Sequence, residues 1–90
     1  MATFVIISGP DVPPVGDTVR LLYPDAKIWN DRAHVIKADG TARSVADQIT
    51  SKTGVRQSLF VCRLTADYYG FAKSDFWDWL AASFTDSSND

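Results

Sequence analysis

Ninety residues with 46% hydrophobic and 12% aromatic side chains make one domain with a real core. The single cysteine, Cys62, excludes an intrachain disulfide and a cysteine-based zinc cage, and it points to a reducing compartment. A net charge of −2 argues against a nucleic-acid binder held by bulk electrostatics, though it leaves room for a local basic patch.

Thr3 to Ser8 is a continuous apolar, β-branched run that predicts a central strand buried on both faces. Gly9-Pro10-Asp11 breaks it. Between Val12 and Pro24 a short helix of two or three turns is expected, with Pro14 in its first turn and Val15, Val19 and Leu22 on one face. An irregular loop is the alternative there. Ala26–Trp29 and Ala33–Lys37 read as two strands about a tight turn at Asn30-Asp31, residue types that tolerate left-handed backbone. Thr41 to Lys52 is the clearest helix, with Ala42, Val45, Ala46 and Ile49 as its apolar stripe. Thr41 is its N-cap and Gly54 its left-handed C-terminal cap.

Ser58 to Leu64 predicts a strand with Phe60, Cys62 and Leu64 on one face and Leu59, Val61 and Arg63 on the other. From Ser58 to Leu80 runs the stretch that holds two of the three tryptophans, where the core is expected to close. Ser74 is read as the cap of a last helix, with Asp75 and Asp78 in its first turn. Trp77, Leu80, Ala81 and Phe84 form its apolar face, while Phe76 and Trp79 lie off it. A helix apolar nearly all round needs a second contact surface, such as another protomer. The expected domain is residues 1–84, followed by a disordered acidic tail at 85–90.

The order β-α-β-β-α-β, with right-handed crossovers, predicts an α+β, ferredoxin-like fold: a four-stranded antiparallel sheet covered by two helices, plus a C-terminal helix. The first and third strands would be central. No run approaches the roughly 20 apolar residues that span a bilayer, and Met1 leads into a strand without the charged start of a signal peptide. The expected location is therefore the cytosol, that of a bacterial host if the chain is phage-encoded, with no membrane contact.

Several segments carry a family resemblance. They are Ala2–Ser8, Ala33–Lys37, the Val45…Ile49 helix, Ser58–Val61 with Leu64, and Trp77–Leu80. In these the chain resembles the short ferredoxin-like proteins related to the small CRISPR-associated adaptation nuclease. The resemblance implies that fold and a habit of forming homodimers. It would also imply a metal held between protomers by the Asp of a Tyr-Asp pair closing the first strand. Here that strand closes Ser8-Gly9-Pro10-Asp11, and the acidic residue comes late, after a proline. A metal ligand must sit within a few tenths of an ångström of its place, so the motif is altered where the chemistry needs it.

The remaining candidates are weighed residue by residue. Asp11 and Asp17 read as a turn residue and a solvated helix residue before they read as a metal pair. His34, the lone histidine, needs a partner such as Asp31 or Asp39 to act as a base, and reads first as a half-buried sheet residue. Cys62 reads as a small core hydrophobe. Ser8 ends a strand, a common place for ligands, but the glycine spacing and lysine of a phosphate loop are missing.

Tyr68-Tyr69-Gly70-Phe71 is the patch with the strongest functional claim. Its rings can stack on nucleobases, with Trp29 as a further platform. Arg32, Lys37, Arg63 and Lys73 can supply charge to phosphates. The competing reading folds these rings over a sheet edge or into a dimer interface.

Three functions follow as expectations. The leading one is a non-catalytic, oligomeric binding protein, most simply a homodimer, with a nucleotide or protein partner and no cofactor or metal. In phage–host conflict such an anti-defence protein would sequester a cyclic-nucleotide immune signal or block a defence complex. The alternatives are a metal-dependent nuclease or toxin using Asp11, and an assembly subunit docking through its last helix.

Overall fold

A computed structural model describes residues 1–54 and 56–85, with the side chains of Ser83 and Thr85 left out. The elements run β1 (Ala2–Ser8), α1 (Gly16–Leu22), β2 (Lys27–Asn30), β3 (Ala33–Ala38), α2 (Ala42–Thr53), β4 (Leu59–Leu64) and α3 (Ser74–Thr85). The fold is α+β: one four-stranded antiparallel sheet in the order β2-β3-β1-β4, with three helices.

The period of two along β1 sorts the whole molecule. Phe4 and Ile6 share a face with their register partners Ile36 and His34 on β3 and with Val61 on β4. Val15 and Val19 beside and within α1, and Val45 and Ile49 of α2, close over this face; all are buried and form one cluster. Each fully buried side chain of this size stabilises by roughly 1.5–3 kcal/mol. Tyr23 Oη donates to Gln48 Oε1 and ties the end of α1 to α2.

The other face carries Thr3, Val5 and Ile7. It was expected to be buried throughout, but its cover is graded: Thr3 is buried, Val5 half-buried and Ile7 exposed. The cause is α3, which lays Leu80 on the sheet and leaves the Ile7 end open.

Local chemistry explains the element ends. Thr41 caps α2 through a capping box with Ser44, each side chain meeting the other's backbone N–H. Gly54 ends the helix at φ +75°, a conformation costly for any residue with a Cβ. The Asn30-Asp31 turn differs from expectation, since among the described residues only glycines have positive φ. The chain reverses at Asp31-Arg32, between the paired Asn30 and Ala33, and Asn30 Oδ1 accepts from the Arg32 N–H at 2.8 Å; a register shift lies just before it, between Ile28 and Asn30. At α3 the Asp75 carboxylate accepts the Phe76 N–H at 3.0 Å. The helix runs through Thr85, one residue into the expected tail; residues 86–90 lie outside the described residues.

Candidate functional site: an aromatic groove with a lysine mouth

The sheet face left half open by α3 is the floor of a groove of about 350 Å³. Val5, Ile7, Ala33 and Val35 form the floor, Leu64 and Tyr68 one end, and Phe76, Trp77 and Leu80 of α3 a wall. Trp29 and the Tyr69–Phe71 segment complete it. A second cavity of about 390 Å³ shares Trp29, Phe71 and Phe76 with the first and adds Lys27, Lys73 and Asp75. The two adjoin at these three rings: the first is mainly apolar, and the second bears two ammonium groups and one carboxylate.

Ring contacts set its walls. Trp29 meets Phe76 edge-on with centroids 5.6 Å apart, which joins β2 to α3. Tyr68 stacks on Trp77 at 6.0 Å with the planes 3° apart, and tilts against Phe84 at 5.5 Å. Trp77 Nε1 donates to the Ala72 carbonyl at 3.2 Å and holds the loop against the helix. Tyr69 and Phe71 meet edge-on at 5.7 Å yet stay 89% and 84% exposed. Rings that touch each other while facing water are unspent apolar surface.

The off-face aromatics of α3 find their cover within the chain. Phe76 packs on Trp29, and Lys37 Nζ lies 4.4 Å from the Trp79 ring centroid with Lys27 Nζ at 5.9 Å. Lys37 also donates to the Trp79 carbonyl at 2.8 Å. Burial pulls the Lys37 pKa down, Asp25 opposes this and Lys27 adds to it. Lys37 is thus a brace for α3, and its amine is engaged by α3 rather than offered to a phosphate.

Of the residues singled out from the sequence, Trp29, Tyr68, Tyr69 and Phe71 meet in the groove and Lys73 stands at its mouth. The other three stand elsewhere. Arg32 donates from Nη1 to the Gly9 and Val12 carbonyls, clamping the loop after β1. Ser8 is buried, and its N–H donates to the Arg32 carbonyl at 2.9 Å. Arg63 points from the opposite sheet face to solvent at the edge strand. Lys27 and Phe76 were missed as site residues. Lys27 was legible, because it stands two residues before Trp29 and so on the same side of β2.

His34 also lines the groove, between Ala33 and Val35, but its register with Ile6 puts its side chain on the core face. It is fully buried beneath α1, and neither ring nitrogen has a hydrogen-bond partner. Its Nε2 would stand 3.1 Å from a Cβ at Gly16, so the helix approaches this closely because that residue is glycine. Burial lowers the His34 pKa, Arg20 lowers it further and Asp31 opposes them. Among the described residues no three His, Cys, Asp or Glu side chains are grouped to hold a metal ion. No helix there is long and apolar enough to cross a membrane.

The chain matches no family model, no curated protein and no solved structure.

Proposed function

We propose that this chain is a non-catalytic binding protein whose ligand is a nucleotide, built on a ferredoxin-like β-α-β-β-α-β frame with an added C-terminal helix. The strand order β2-β3-β1-β4, with α1 and α2 on one face, supports that frame. One observation carries the ligand: six aromatic residues from three separate segments, Trp29 on β2, the Tyr68–Phe71 loop and Phe76 and Trp77 on α3, line one apolar groove, and the cavity adjoining it carries Lys27 and Lys73. A base enters the groove and stacks on Trp29 or Phe71, each such contact being worth about 1–3 kcal/mol. The phosphate stays at the wet, cationic mouth, where a lysine acts as a point charge.

A protein that holds a nucleotide without turning it over acts by withdrawing or presenting it. Sequestration of a cyclic-nucleotide signal in phage–host conflict is one version of this reading. Tryptophan fluorescence titrated with nucleoside monophosphates and cyclic oligonucleotides tests both. Saturable quenching is expected, weakened at least tenfold by Phe71→Ala and made less salt-dependent by Lys73→Ala. Absence of any response to millimolar ligand across the panel overturns the reading.

A further inference from the structure

We infer that β4 is an interface strand: two copies of this chain pair through their β4 edges, antiparallel about a two-fold axis at Val61, into one continuous sheet. The two edges of the sheet are built differently. β2 has four residues, a register shift between Ile28 and Asn30, a lysine at its start and Pro24 shortly before it. Each of these discourages further pairing. β4 has six residues in unbroken register with β1, no proline, one charge at Arg63, and Phe60 60% exposed on its flank. A long, regular, apolar-flanked edge is a template for another strand.

The backbone says which groups are free. The Gly9 N–H donates to the Ser58 carbonyl at 3.0 Å. Ser58 and every second residue after it therefore turn their polar groups to β1. Leu59, Val61 and Arg63 turn theirs outward, where no strand among the described residues meets them.

That outward set is symmetric about Val61, so the strand is its own complement and a second copy is the occupant. The axis pairs Val61 with Val61 and Leu59 with Arg63 in both directions. The two Arg63 side chains then stand about 13 Å apart along the seam, at about 3.3 Å per residue. That exceeds the screening length of roughly 8 Å, so no like charges are forced together. On the groove face Phe60 falls opposite Cys62 of the second copy, next to the exposed Ile7.

Sedimentation equilibrium of the full chain tests the pairing. The expected mass is twice that of the chain, falling to one chain for Arg63→Pro. Proline there removes an outward N–H and leaves the ladder to β1 intact, and circular dichroism checks that the variant is folded. Phe60→Cys is the second arm, because facing residues that share no hydrogen bonds bring their Cα atoms to about 4.5 Å, within disulfide range. Oxidation is expected to give a covalent dimer that Cys62→Ser in the same background abolishes. A native chain that stays monomeric at several hundred micromolar overturns the inference. So does a dimer that survives Arg63→Pro and fails to cross-link through Phe60→Cys.

Discussion

Trp29 and Phe76 stand edge-on with ring centroids 5.6 Å apart, and this contact joins an edge strand to the C-terminal helix across the mouth of the groove. The same tryptophan is half exposed toward the groove. One ring therefore both holds α3 down and offers a stacking surface.

Trp29→Ala is expected to act twice. It removes an aromatic pair worth about 0.5–1.5 kcal/mol beyond its area, and α3 loosens from the sheet. Hydrogen exchange should rise in α3 and stay unchanged in α2, with the urea midpoint falling modestly. Equal exchange in α3 of both proteins would show that the contact does not hold the helix.

Acid should weaken the fold through His34. Its folded pKa lies below the ordinary value, with burial first, Arg20 second and Asp31 opposing. The unfolded chain thus binds the proton more tightly. The stability of the neutral form is fully present above about pH 6.5 and is lost as pH falls toward the folded value. One proton sets a limiting slope of about 1.4 kcal/mol per pH unit. Urea midpoints between pH 7.5 and 5.5 measure this, and the slope should disappear in His34→Asn. Parallel curves for the two proteins would assign the acid sensitivity to another group.

Arg32→Ala separates a clamp from a ligand contact. The guanidinium holds the Gly9 and Val12 carbonyls and does not line the groove. The variant should lose about 1–3 kcal/mol, as expected for hydrogen bonds to a charged group. Nucleotide affinity should change by less than threefold. A large loss of affinity in a folded Arg32→Ala protein would return Arg32 to the binding site.

Gly54→Ala should cost about 1 kcal/mol although a Cβ there meets no atom within 4 Å. The penalty arises from φ +75° alone. A neutral substitution by thermal melt would mean that α2 can end without the left-handed residue.

Most of the elements are legible in the sequence because their causes are local. The β-branched run at Thr3–Ser8, the stripe Val45…Ile49 and the Thr41 and Gly54 caps act through neighbours a few residues away. Period-two alternation also sorted Phe60 and Cys62 from Val61 and Arg63 on β4, and the register with β1 agrees. Where the reading missed, the cause was long-range. Asn30-Asp31 suggested left-handed backbone, yet the chain reverses at Asp31-Arg32 without it, held by the Asn30 side chain on the Arg32 N–H and by pairing with β3. Phe76 and Trp79 lie off the apolar face of α3, and their contacts with Trp29 and Lys37 come from strands distant in sequence.

The sequence by itself determined an α+β chain with its helices and strands in this order, because periodicity and capping are properties of short windows. It also marked the aromatic loop at Tyr68–Phe71, since three rings around a glycine need no fold to be noticed. Only the tertiary structure decided that Trp29 joins that loop, that Arg32, Arg63 and Ser8 do not, and that β2 and β4 are the two edges of the sheet. Those outcomes depend on which strand lies beside which. That is settled by burying β1 on one full face and half of the other, a global condition that no local pattern encodes.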